Sequence, residues 1–254
     1  ALATAISQFI SAFLCLIHLL RVKEEYRLQL NKICFDGQMI WQIIQNGVPS
    51  GFQNSVIAIA NVFVQTNINA FGKMAMAGCG SYSKIEGFAF LPVICFTMAL
   101  TTFVSQNLGA KQYDRAKKGA RFGILCSITI AELIGVVIYT AAPVLIAAFN
   151  SEPEVVHYGV MQSRTIALFY FLLAFSHCIA AVLRGSGNAA VPMIVMLCVW
   201  CLLRVSYITV AVHFIPDIRV IFWAYPLTWS ISSVIFLALF LRGKWVYGFE
   251  NRKC

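Results

Sequence analysis

Residues Ser83 to Pro92 read SKIEGFAFLP, and the chain continues to Val104 as VICFTMALTTFV without another charge. The hydrocarbon layer of a bilayer is ~30 Å thick and a helix rises ~1.5 Å per residue, so ~20 apolar residues suffice to cross it. This stretch qualifies, yet it carries one carboxylate, Glu86, near its start. A carboxylate in such a run has to face protein or water, which makes Glu86 a candidate functional group.

Working outward, similar apolar runs occupy residues 1–20, 51–71, 122–149, 155–183, 191–214 and 220–241, giving seven expected spans. Composition agrees: 60% of the 254 residues are hydrophobic and 11% are charged, and the mean hydropathy is +0.79. These values belong to an all-α polytopic membrane protein rather than a soluble domain. The first run begins at Ala1 without an initiator Met or a basic flank. It reads as the end of a longer helix and not as a signal peptide.

A formal charge of +9 raises the question of nucleic acid, and the position of the charges answers it. Arg21, Lys23, Arg27 and Lys32 share one loop; Lys111, Arg115, Lys117, Lys118 and Arg121 lie two spans later; Arg184 follows after two more; Arg242, Lys244, Arg252 and Lys253 end the chain. Alternate loops are therefore basic, a membrane-topology signature that puts those loops and the C-terminus in the cytoplasm and the NSEPEV turn outside. No nucleic-acid partner is expected.

Most of the nine cysteines lie within apolar runs, where they read as small core residues. Cys198 and Cys201 form a CVWC on a continuous helix without a second ligand pair, so no metal is expected. HExxH, GxSxG and Walker sequences are absent, and RGSGN at 184–188 lacks the preceding strand of a dinucleotide fingerprint. The chain is not expected to be an enzyme or to carry a cofactor. His177, alone in an apolar helix, reads as a packed, hydrogen-bonded histidine.

Polarity inside the spans is more telling. Ser50, Asn54, Ala58, Asn61, Gln65 and Asn69 recur at spacings of three and four, which aligns them on one helical face. Amides in lipid need partners, so this stripe is either interhelical glue or the wall of a wet cavity. Pro49 in NGVPSG reads as a helix start, whereas Pro92 falls inside a span and would free backbone carbonyls. Four charges lie within spans: Glu86, Glu132, Arg164 and Arg204. They either pair within the bundle or serve ions and substrate. A helix starting near Met74 would place Glu86 deep; one starting near Tyr82 would leave it interfacial.

The strings SKIEGFAFLPVICFTMALTTFVSQNLGAKQYDRAKKG, VLRGSGNAAVP, LLRVSYI and FWAYPLTWSI together resemble the C-terminal lobe of the multidrug and toxin extrusion family, over residues 38–245. The resemblance implies a two-lobed fold of six-helix bundles that open a central cavity alternately to each side. On that frame residues 1–20 end the last helix of a missing N-terminal lobe, 21–48 form a cytoplasmic linker, 49–242 are the six-helix lobe and 243–254 a cytoplasmic tail. The implied activity is secondary efflux of amphipathic, cationic compounds across the cell (inner) membrane in exchange for protons or sodium. Its partners would be the missing lobe, a small-molecule substrate and the bilayer. Some branches carry an acidic residue in the seventh helix, where GFQNSVIAIANVFVQ has amides only, and others use an aspartate in the first helix, outside this chain. The coupling ion is thus unassigned. Candidate substrate or cation groups are Glu86, Asn54, Asn61, Gln65, Glu132 and Arg204, with Glu86 expected to face the amide stripe. The alternatives are a lipid-linked precursor flippase, which would need a more cationic cavity, and a non-transporting membrane scaffold, whose stripe would be sealed against protein.

Overall fold

The computed structural model describes residues 2–22, 27–29 and 35–247; the expected linker charges Lys23 and Lys32 and the tail charges Arg252 and Lys253 lie outside the described residues. Helices α1 (Leu2–Arg21), α2 (Gly37–Asn69), α3 (Lys73–Gly109), α4 (Tyr113–Ala147), α5 (Pro153–Ile166), α6 (Tyr170–Gly185), α7 (Ala190–Met196), α8 (Arg204–Phe214) and α9 (Ile218–Leu241) follow in order. A 3-10 turn at Ala167–Phe169 joins α5 to α6, and a π-helical segment at Leu197–Leu203 joins α7 to α8. The chain forms two compact units, Ala1–Ile43 and Ile44–Cys254.

In the first unit the chain leaves α1 and turns back on its last carbonyls: Leu28 N donates to Leu19 O at 3.1 Å and Arg27 Nε to Leu20 O at 3.1 Å. A cation at a helix C-terminus also suits the dipole. Pro49 does not start a helix. Asp36 does so thirteen residues earlier, its Oδ1 accepting from Gln38 N (2.9 Å) and Met39 N (3.2 Å), an N-cap that satisfies donors the helix itself leaves unpaired. Pro49 then sits inside α2, where it costs one hydrogen bond without ending the helix.

Among the described residues six helical stretches are long and apolar enough to cross a membrane: Leu2–Arg21, Lys73–Gly109, Tyr113–Ala147, Pro153–Gly185, Ala190–Phe214 and Ile218–Leu241. The seventh expected span falls in α2, which is long enough but too polar to join that set, because its amides offset its aliphatic residues. Glycines let neighbouring helices approach: a Cβ on Gly78 of α3 would collide with Val155 O of α5.

The second unit has three stacked layers of core. Near the basic α3–α4 turn, Leu108, Ala116, Val182 and Phe236 pack together. Ile85, Ala131, Tyr170, Trp200 and Trp229 fill the middle. At the far end Ile68, Ala75, Ile208 and Ile221 meet. Short turns and this layering require successive spans to run back and forth, so α5 and α9 both start at the far end and run the same way. Burial of these aliphatic and aromatic faces against one another, together with backbone hydrogen bonds kept inside each helix, is what fixes the bundle.

Candidate functional site

Because α3 starts at Lys73, Glu86 lies thirteen residues into it, about 20 Å along the axis at ~1.5 Å per residue. The deeper of the two registers is the observed one. Tyr82 and Glu86, four apart, share a face of α3, which makes the Tyr82 hydroxyl a near polar neighbour of the Glu86 carboxylate. The Tyr82 hydroxyl also meets that of Tyr170 on α6 at 2.9 Å. Either tyrosine can be the donor in that pair.

Arg204, the first residue of α8, is 2% exposed. Its Nη2 donates to Thr228 Oγ1 at 2.9 Å, and the Thr228 hydroxyl donates in turn to Ala224 O at 2.8 Å. The guanidinium carbon lies 4.6 Å from the Tyr225 ring centre and 5.3 Å from that of Trp200. Arg204 Nε has no partner. The charges of Glu86 and Arg204 act on each other within this cluster. Four helices thus supply one node, in which tyrosine hydroxyls lie beside the half-buried anion and aromatic faces plus one threonine hold the buried cation in place of water. Beside Glu86 a cavity of about 10 Å³ is lined also by Phe90, Ala131, Tyr170 and Leu173, close to the least volume that holds one water.

The other expected residues are placed elsewhere. Glu132 Oε2 accepts from Phe171 N at 3.3 Å, just past the 3-10 turn, and one helical turn along α4 a Cβ on Gly135 would strike Ala167 O. α4 therefore reads the break in the Pro153–Gly185 span, capping its freed amide and leaving room for its carbonyl. On α2, Asn54 and Asn61 are exposed, and Gln65 Nε2 donates to Asn69 Oδ1 at 2.9 Å within the same helix. Among the described residues the partners of Glu86 are the α3, α6 and α8 groups named above, not the stripe it was expected to face. The reason is angular: the buried face of α2 runs through Gln53, Ala60, Val64 and Ile68, about a quarter-turn from the amides at ~100° per residue. Arg164 is exposed, with its guanidinium carbon 5.7 Å from the Tyr139 ring centre.

His177 is packed as expected, between the ring edges of Phe90 (5.1 Å) and Trp200 (5.3 Å), but its Nε2 has no hydrogen-bond partner. Sequence reasoning missed Tyr82, Tyr170, Trp200, Tyr225 and Thr228. A signal existed for two of them: Tyr82 precedes Glu86 by four residues and Trp200 precedes Arg204 by four, so each shares a helical face with a charge already singled out.

The sequence model of MatE matches residues 49–210, which contain the whole α3–α8 part of this node. The chain belongs to the MatE family. A probable multidrug resistance protein, NorM of Thermotoga maritima, is 26% identical over 96% of the chain and 53% of its own length. Another, YoeA of Bacillus subtilis, is 24% identical over 92% of the chain and 52% of its own length. The chain spans about half the length of the curated relatives it matches. A solved structure described as the outward-facing conformation of a multidrug resistance MATE family transporter of the MOP superfamily shares the fold, with a TM-score of 0.87 at 18% identity over 98% of this chain and 56% of that one. MatE proteins are transporters, and this chain is an integral membrane protein and not an enzyme.

Proposed function

We propose that this MatE chain is one lobe of a secondary efflux transporter that exports amphipathic, cationic compounds in exchange for protons or sodium. The observation that carries the reading is Glu86: a carboxylate far along a spanning helix, beside a small cavity, with hydroxyl neighbours rather than a close cation. Such a group is able to exchange a proton for a cation as the lobes rock. Its partner is a second lobe, in keeping with the half-length match to full-sized relatives. Asn54 and Asn61 then face the cavity between lobes. An arginine that is 2% exposed offers little surface to a pyrophosphate, which favours drug export over lipid-linked precursor flipping. The membrane is the cell (inner) membrane, with the basic loops and C-terminus in the cytoplasm; reporter fusions at Lys117 and Glu152 should then localise oppositely.

The decisive test is Glu86→Gln in the intact transporter. It keeps an acceptor beside Tyr82 and removes the exchangeable charge, so gradient-driven efflux falls at least tenfold while abundance in the membrane stays normal. Full efflux at normal expression removes Glu86 from the mechanism. Loss of both abundance and efflux assigns it to structure.

A further inference from the structure

At the far end of the bundle, opposite the basic α3–α4 turn, a cleft of about 470 Å³ opens between α5 and α9. Its α5 wall is one helical face, His157, Met161, Arg164 and Thr165 among it, and its α9 wall is Arg219 and Trp223, four apart. The lining holds two arginines and a histidine and no carboxylate. The nearest acid in sequence, Asp217, is engaged as the α9 N-cap, its Oδ1 accepting from Arg219 N at 2.9 Å.

A second hollow, of about 410 Å³, continues from the first. The two share Phe169 and Trp223, and the continuation adds Tyr207, Leu227 and Ile231. Phe169 and Trp223 meet edge to face at 5.9 Å, forming a fixed aromatic wall at the junction. The result is one groove, cationic at the helix ends and apolar below. From Arg219 to Ile231 is twelve residues, about 18 Å at ~1.5 Å per residue, close to half of the ~30 Å hydrocarbon layer. Trp223 is 51% exposed and Leu227 38%, so the groove's wall is open along its length. A soluble anion would use only the mouth. A molecule with one anionic head and a chain one leaflet long fits the whole.

We propose that the α5–α9 groove binds one membrane phospholipid with an anionic headgroup, its phosphate between Arg164 and Arg219 and an acyl chain along Phe169, Trp223, Leu227 and Ile231. Guanidinium forks suit phosphate oxygens. Arg164, eleven residues into α5, reaches the headgroup layer by extending its long stem toward the helix end. This site is independent of Glu86 and of any transport activity.

The test uses the full chain in nanodiscs of phosphatidylcholine or phosphatidylglycerol with matched brominated acyl chains. Trp223 fluorescence is isolated by subtracting a Trp223→Phe variant. Brominated phosphatidylglycerol should quench Trp223 at a severalfold lower mole fraction than brominated phosphatidylcholine. The Arg164→Gln/Arg219→Gln variant should abolish that preference and leave quenching by phosphatidylcholine unchanged; both side chains are exposed, so the core is untouched. Arg219→Gln alone, at the helix end, should give a partial loss, which covers the case of a double variant that does not fold. Equal quenching by the two lipids, or a preference that survives the double substitution, overturns the proposal. So does a preference erased by millimolar inorganic phosphate in wild type, since the site would then take a free anion rather than a lipid.

Discussion

Two rows of polar residues run through the apolar helices of this lobe, and they meet opposite fates. The Glu86–Arg204 node gathers hydroxyls and rings from α3, α6, α8 and α9 and buries its cation at 2% exposure. On α2, Asn54 and Asn61 stay exposed, Gln65 bonds to Asn69 of its own helix, and Ser55 and Thr66 bond back to Gly51 O and Val62 O. Periodicity alone does not distinguish them. A polar group in a membrane helix is retained in the core only where other helices bring donors and acceptors to it; otherwise it turns to the exposed face and uses its own backbone.

The contrast predicts a ranking of effects. Arg204→Ala should be the most damaging, because it leaves Thr228 and the rings of Trp200 and Tyr225 around a void and strips Glu86 of its only cation in the node. A loss of about 2–5 kcal/mol is expected for emptying the space of a large buried side chain, read as collapse of the monodisperse peak in detergent and a lower Tm. An unchanged Tm would put the node on the same footing as the stripe.

Glu132→Ala comes next. It strands the Phe171 amide at the 3-10 turn, at a cost of about 1–3 kcal/mol for a polar group left unpaired, and hydrogen exchange over residues 167–175 should accelerate. Glu132→Gln, which keeps an acceptor, should restore most of the protection. If the glutamine variant exchanges as fast as alanine, Glu132 is not a cap.

Gln53 sharpens the boundary between the two regions, for it is the amide of α2 that points inward. It is buried, its Nε2 donates to Met196 Sδ, and its Oε1 has no partner. Gln53→Leu removes that orphaned acceptor and should raise stability by about 1 kcal/mol, visible as a higher Tm. A lower Tm would mean that the Met196 contact outweighs the unpaired oxygen.

The smallest effect belongs to the stripe itself. Asn54→Ala with Asn61→Ala should change the stability of the lobe by no more than about 0.5 kcal/mol, the usual range for exposed sites. In the intact protein Asn61→Cys should react with a membrane-impermeant maleimide while Val64→Cys, at 1% exposure, should not. Equal labelling would erase the distinction between the faces.

The sequence by itself determined the class of the protein and the identity of most helices, because bilayer thickness fixes the length of an apolar run and nothing distant is needed to count it. It also marked Glu86 and Arg204, since charge within such a run is rare for the same reason. It misjudged Pro49, where a local turn signal lost to the Asp36 cap and to a helix already propagating, and it saw no break at Ala167–Phe169 because no proline or glycine marks it. Tertiary structure alone decided which polar residues meet. Tyr82 and Tyr170 are eighty-eight residues apart and Arg204 and Thr228 twenty-four, so their pairing depends on how helices rotate and stack. Helix rotation is set by the summed packing of small and large side chains on every face, a global quantity that no single window of sequence contains.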